Sequence, residues 1–362
     1  MTALPRLIEP VGLLHGEAAH EAVGAGVALP LMGGPVAFLR ATLIDGDTRR
    51  SVAAPDIPAD WRPERERVTG GPPDATLPPG ALVMGILNAT PDSFSNGGQH
   101  AQADDAIAAG RRMLAAGATI LDIGGESTRP GAQPLPPGEE WRRVGPVIAG
   151  LRGAGGLISV DTRHAEVMAR ALEAGADVIN DVSALAHDPD AAPMLARHTT
   201  PVILMHMRGT PETMNALAVY DDVAVDVVRE LGARVAIAED AGIARDRILV
   251  DPGFGFAKDA AQNITLLRRL PILANLGCRV LVGTSRKRFI GQITGVARAD
   301  DRDPGTLAAT LPGLDLPGAL LRVHAVEPMI QALRVWQALH PSGRQATKQG
   351  VSPPSLQDRS TS

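Results

Sequence analysis

Cysteine and aromatic side chains are almost missing from this chain. Its single cysteine, Cys278, excludes an internal disulfide and any cysteine-cluster metal site, and its place beside an apolar run makes it a small buried hydrophobe. Aromatics make up 2% and the net charge is -5, so there is neither the stacking platform nor the basic stripe that a nucleic-acid surface needs. A bilayer-spanning run is also lacking: the uncharged stretch 23–39 is broken by glycine and proline. Pro10 and His15 interrupt any basic-then-apolar order of a signal peptide. These absences lead to the expectation of a soluble, cytoplasmic protein that engages neither nucleic acid nor membrane.

What the chain does have is a recurring unit: an apolar run of strand length, a polar loop, then an amphipathic helical stretch. The strand candidates are 82–88, 119–124, 157–161, 177–181, 202–207, 247–251, 279–284 and 319–324. They are continuous apolar runs rather than alternating ones, the pattern of parallel strands covered on both faces. Helices such as 103–116 and 164–174 stop at Ala-Gly-Ala, where glycine ends the helix. Eight such units predict a (β/α)8 TIM barrel over 81–340. A doubly wound open sheet is the alternative, but no Gly-x-Gly-x-x-Gly follows the first strand. An N-terminal extension precedes the barrel, with a short helix near 16–23, a hairpin within 37–54 and a Pro/Gly-rich linker over 54–80. The polar tail 341–362 is expected to be disordered. Since a full set of strands starts at Leu82, the barrel is expected to fold without residues 1–75.

In such barrels the chemistry sits where the strands end. There the sequence places Asn88, Asp122, Asp161, Asn180 with Asp181, His206, Asp251, Ser285 with Lys287, and Arg322 with His324. Asp122 and Asp181 suit plain turn capping. His206, between two methionines, reads as a satisfied inner residue. Arg322 lies inside an apolar strand and requires an anion to meet its charge. Strand seven runs straight into Arg286, Lys287 and Arg288; Lys287 can turn inward at the barrel mouth, while Arg286 and Arg288 suit the surface. The glycine-bounded loops 88–98 and 124–131 can order over a substrate and exclude water.

Taken together, the segments "MGILNATPDSFSNGG", "LDIGGESTRPG", "ISVDT", "VINDVSAL", "LMHMRG", "DPGFGF", "GTSRK" and "RVH" resemble the dihydropteroate synthases, the pterin-binding folate-pathway enzymes that sulfonamides inhibit. The resemblance covers the whole barrel. It implies displacement of pyrophosphate from (7,8-dihydropterin-6-yl)methyl diphosphate by p-aminobenzoate, a pterinylmethyl transfer. It further implies that Asp161, Asn180, Asp251 and Lys287 hold the pterin, joined by Thr128, with Asp161 and Lys287 the catalytic pair. Asn88, Arg322 and His324 would hold the diphosphate, Asn88 also ligating Mg2+, and Ser285, Phe256 and Pro130 would line the p-aminobenzoate site. A homodimer is the family's usual state.

The chemistry is coherent with those side chains. A pterin edge presents adjacent N–H donors that a carboxylate accepts as a pair, and Asn180 offers both donor and acceptor. Arg322, His324 and an oxygen-bound Mg2+ suit the charge gained by a departing diphosphate. Three departures from the family pattern stand out. Asn96 replaces an aspartate in the first loop, Ala325 replaces one after His324, and Pro312 and Pro317 break the expected helix 305–318. The rival readings are an inactive pterin-binding paralogue, a pterin-dependent methyltransferase domain, and a Schiff-base aldolase using Lys287.

Overall fold

The computed structural model describes residues 4–71, 76–89, 99–126, 135–210 and 213–341. The N-terminal layer contains β1 (Arg6–His15), α1 (Gly16–Gly24), β2 (Leu29–Pro30), β3 (Val36–Asp45), β4 (Thr48–Ala53) and α2 (Arg62–Thr69). The barrel strands are β5 (Leu82–Asn88), β6 (Ile120–Gly124), β7 (Leu157–Asp161), β8 (Val178–Asp181), β9 (Val202–Met205), β10 (Ile248–Asp251), β11 (Arg279–Val282) and β12 (Leu320–Val323). Outside them run α3 (Gln99–Ala115), α4 (Pro137–Leu151), α5 (Ala165–Ala174), α6 (Ala191–Ala196), α7 (Val223–Asp240), α8 (Ala260–Arg268), α9 (Arg288–Thr294), α10 (Asp303–Thr310) and α11 (Val326–Leu339). The eight parallel strands close on themselves, β12 pairing with β5, so the barrel expected from the sequence is the barrel observed. Glycine ends α5 as expected: Gly175 takes a left-handed φ of 104°, which a side chain resists.

Period-two alternation decides what fills the barrel. In the lower layers Leu82, Met84, Ile120, Val178, Ile203, Leu249, Leu281 and Leu320 form one apolar cluster. Two residues further along four of these strands, at the same parity, the interior turns polar: Asp122 follows Ile120, Asn180 follows Val178, Asp251 follows Leu249 and Arg322 follows Leu320. The register places Asp122 beside Ser159 and Asp161 beside Asn180, so neighbouring strands deliver these groups at matching heights. Intervening residues such as Leu121, Val160, Ile179 and Val250 belong to the larger core cluster, which also takes in the covering helices. An apolar floor with a polar top layer is the physical origin of the site.

The N-terminal layer is a small antiparallel sheet centred on β3, which pairs with β1, β2 and β4; the expected helix and hairpin are both present. The expected linker is corrected. It contains two 3-10 turns, at Ala54–Asp56 and Ala59–Trp61, followed by α2. Nor is the extension a free appendage. Asn275, fully buried in the turn just before β11, accepts from the Ile8 amide at 2.9 Å and donates to the Ile8 carbonyl at 2.7 Å. Arg279, the first residue of β11, donates to the carbonyls of Pro78 and Gly80 at 3.0 and 2.7 Å. Leu77 joins the apolar cluster on the barrel floor. A hydrogen-bonded guanidinium and a buried leucine at the strand starts tie the extension to the fold.

The helix expected over 305–318 does break. The α10 helix ends at Thr310, and Leu311–Asp315, holding Pro312, is a 3-10 turn. Among the described residues no helix is long and apolar enough to cross a membrane. The expected disordered tail lies, from residue 342 onward, outside the described residues.

Candidate active site

At the top of the barrel the polar layer forms one connected network. Asp122, buried to 1% exposure, accepts from Ser159 Oγ at 2.6 Å, from Asn180 Nδ2 at 3.0 Å and from Arg322 Nε at 2.6 Å. Arg322 Nη2 donates in turn to Asp161 Oδ2 at 2.9 Å. The expectation for Asp122 is therefore overturned. It is no turn cap but the acceptor at the centre of the site, because its parity in β6 points it inward. Asp181 does cap its turn, accepting from the amides of Ser183 and Leu185 at 2.7 and 2.9 Å. The anion that Arg322 requires is supplied by the protein's own carboxylates, through Nε and Nη2.

Electrostatics divide the acids by environment. Burial, reinforced by the charge on Asp122, lifts Asp161 to about 7 although Arg322 and Lys287 pull against it. Burial also raises Asp251, opposed by the Gly253 amide, which donates to Oδ1 at 2.7 Å, and by Lys287 and Arg322. A cationic ligand beside Asp161 would drive it into the ionised form.

Lys287 sits at the N-terminal end of α9, beyond strand seven, with Nζ 4.1 Å from the centre of the Phe256 ring. That is cation–π distance, so the aromatic face fixes the ammonium. Arg286 is turned outward by a left-handed φ of 58° and donates to Asp303 through Nε and Nη2 at 2.8 and 2.9 Å. Arg288 is exposed. The Ser-Arg-Lys-Arg cluster therefore splits: one cation goes to the mouth, one braces α10 and one meets solvent.

Ser285 Oγ lies 2.9 Å from His324 Nδ1 and accepts from the His324 amide at 3.1 Å. The Oγ–Nδ1 bond runs in either direction with the imidazole tautomer; when the hydroxyl donates to Nδ1, the ring hydrogen stands on Nε2. Burial, followed by Arg286, Arg322 and Lys287, lowers His324 to about 3. Towards an anion it is a neutral hydrogen-bond donor rather than a cation. Ala325, at the N-cap of α11, makes no side-chain cap bond, so that helix start lacks what an aspartate there would give.

Asp161, Asn180, Asp251, Lys287, Arg322, His324, Ser285 and Phe256 all converge on one end of the barrel. Thr128, Pro130 and Asn96, with most of the two loops, lie outside the described residues. His206 is a satisfied buried residue as expected, held between Glu230 and Lys258 at 3.0 and 2.9 Å. Lys258 is a residue that sequence reasoning misses; its signal is a cation directly after the apolar turn Gly-Phe-Gly-Phe-Ala. Asp122 is legible only by counting parity back from Gly124.

Two positions bear on a metal. The side-chain oxygens of Asn88 and Asp161 both stand 4.0 Å from the point where a Cβ on Gly124 would lie, a shared recess that the glycine keeps open. An amide oxygen and a carboxylate are the hard donors that Mg2+ takes, with water or phosphate filling its remaining positions. Elsewhere, Glu126, Glu140 and His164 bring ligand atoms within 4.8 Å of one another. Glu126, however, is already held by Arg163 Nη2 at 2.8 Å and Nε at 3.2 Å. A 510 Å3 groove between α8, α9 and α10, lined by Leu267, Phe289 and Ile293 among others, lies away from the mouth and contains none of the site residues.

Comparison with known proteins agrees with this geometry. A family described as pterin binding enzyme matches residues 84–324. Dihydropteroate synthase of Neisseria meningitidis serogroup B is 49% identical over 263 residues, covering 71% of this chain and 92% of that protein. The dihydropteroate synthase of Escherichia coli K12 is 44% identical, covering 71% and 90%. Among solved structures, Xanthomonas albilineans dihydropteroate synthase with 4-aminobenzoic acid is 49% identical with a TM-score of 0.68, covering 72% of this chain and 93% of that one. The same organism's enzyme in complex with 7,8-dihydropteroate is 46% identical with a TM-score of 0.65, covering 72% and 94%. The chain belongs to the pterin-binding enzymes and, within them, to the dihydropteroate synthases.

Proposed function

We propose that this chain condenses (7,8-dihydropterin-6-yl)methyl diphosphate with p-aminobenzoate, giving 7,8-dihydropteroate and diphosphate. The observation that carries this reading is the polar layer on the barrel top. Asp251, Asn180 and Lys287 offer the acceptor, mixed and donor groups a pterin edge needs, beside the cation–donor pair Arg322 and His324. Asp251 takes the paired N–H donors of the pterin, and a ring lacking them would strand its buried oxygens. Arg322 and His324 Nε2 donate to the diphosphate as the C–O bond lengthens. The dihydropterin delocalises positive charge from its methylene, and Asp161 stabilises that cation. The arylamine then attacks without a strong base, Phe256 and Ser285 lining its approach.

Asn88 would hold a Mg2+ ion through its amide oxygen, and the metal would supply charge to the leaving diphosphate. The setting proposed is the cytoplasm, where the substrates are small molecules. A homodimer is the proposed assembly, and sedimentation velocity checks that association. Incubation with the pterin diphosphate, Mg2+ and p-aminobenzoate should release pyrophosphate and form dihydropteroate, both stopping when either substrate is left out. Pterin binding without turnover would favour the inactive paralogue.

A further inference from the structure

Lys258 is 8% exposed, in the turn that follows β10, and its ammonium has three acceptors: the carbonyls of Gly253 and Phe256, each at 3.1 Å, and His206 Nδ1 at 2.9 Å. An ammonium has three hydrogens to give, so the three acceptors are matched. The other face of the imidazole fixes the arrangement. Glu230, on α7, lies 3.0 Å from His206 Nε2 and also accepts from Arg208 Nε at 3.0 Å. Burial pushes Glu230 up, but the hydrogen bonds from His206 and Arg208 outweigh it and hold the group down at about 2. An ionised carboxylate at Nε2 demands the hydrogen there, which leaves Nδ1 as an acceptor and requires Lys258 to donate.

The turn so clamped cannot relax easily. Gly253 has a φ of 68°, and a Cβ there would stand 1.9 Å from the His206 carbonyl oxygen. From the same turn Phe256 presents its ring to the Lys287 ammonium at 4.1 Å, and Gly255 lies against the Lys287 stem.

We propose that Lys258 is a positioning residue of the transferase site: the Glu230–His206 pair holds it, and it sets where Phe256 and Lys287 stand. The inference rests on the reaction proposed above and adds three residues to it, none of which needs to touch substrate. It also predicts a link to pH. Burial lowers Lys258 to about 7; Asp251 at the end of β10 and Glu230 on α7 raise it, while Arg208 and Lys287 lower it further. Loss of its proton removes one donor from the clamp, so positioning weakens on the basic side.

Two variants test this by steady-state kinetics with both substrates. Lys258→Met should raise the KM for p-aminobenzoate by about tenfold or more while leaving secondary structure by circular dichroism unchanged. Glu230→Gln lies outside the substrate site and lowers the proton affinity of Lys258. Its kcat/KM for p-aminobenzoate should fall below wild type at low pH, because the Glu230–His206 hold on Lys258 is weakened, and the basic limb of the profile should be displaced to lower pH. A purely structural role for the cluster would change stability and leave that limb in place. Wild-type KM in Lys258→Met, or a Glu230→Gln profile superimposable on wild type, overturns the proposal. If Lys258→Met fails to fold, the Glu230→Gln profile decides alone. A wild-type chain that makes no dihydropteroate defeats the proposed reaction instead, a separate outcome.

Discussion

Asp122 and Arg322 stand 200 residues apart in the chain, and Arg322 Nε donates to Asp122 Oδ2 across 2.6 Å. The pair joins β6 to β12 across β5 and, through Nη2, fixes Asp161 as well. Removing one partner of a buried pair leaves the other charge uncompensated. Asp122→Ala should therefore destabilise the fold by about 3–5 kcal/mol in urea unfolding and lower kcat/KM with it. A loss below about 1 kcal/mol would mean that Arg322 finds another partner or reaches water.

Lys287→Ala removes an ammonium held over Phe256 at the barrel mouth. The expected cost is about 2–4 kcal/mol in kcat/KM for the pterin diphosphate, the scale of deleting a charge-assisted hydrogen bond in a desolvated site. Wild-type kinetics in this variant would move the pterin site away from strand seven.

Deleting residues 1–75 should yield insoluble or strongly destabilised protein, the reverse of what a detachable extension implies. The truncation removes Ile8 from Asn275, Glu9 from Arg269 and the cover of the segment before β11. Asn275→Leu probes the same junction more gently and should cost about 1–3 kcal/mol, the penalty for stranding the Ile8 amide and carbonyl. A soluble, active truncation would show that this layer only decorates the barrel.

Glu140 gives a pH signature in stability. Both its carboxylate oxygens are buried with no hydrogen bond of ordinary geometry among the described residues, and burial lifts the group to about 8, the nearby Thr162 hydroxyl only partly opposing. The unfolded chain releases this proton near the ordinary value of 4.5, so between about 4.5 and 8 the folded state holds more protons. Stability contributed by Glu140 is therefore lost as pH rises through that window, then levels off. Glu140→Gln cannot ionise and should be the more stable protein by about 2–4 kcal/mol at the alkaline end, with the gap closing on acidification. Parallel unfolding curves of the two proteins across this range would mean that Glu140 is already charged inside the fold.

Much of the site was legible because a barrel sends every strand end to one place. Asp161, Asn180, Asp251 and His324 needed only the strand count and the rule that barrels react at that end. Asp122 was not legible in this way, since an aspartate before two glycines fits a turn as well as a site until its parity is known. Glu230 carries no sequence signal at all: one more glutamate on an amphipathic helix, it matters only because α7 lies against His206.

The sequence by itself determined the barrel, through eight apolar runs punctuated by glycine, since burial on both faces leaves parallel strands few other arrangements. It also determined which ends of those strands are polar. What only the tertiary structure decided is how the charges pair. Arg322 could have been left for a ligand, but closure of β12 onto β5 brings it within reach of Asp122 and Asp161. The same holds for the N-terminal layer, whose sheet was readable in outline while its attachment was not. Hydrophobic periodicity is local and survives in the sequence; hydrogen bonds such as Asn275 to Ile8, across 267 residues, exist only once the chain has closed.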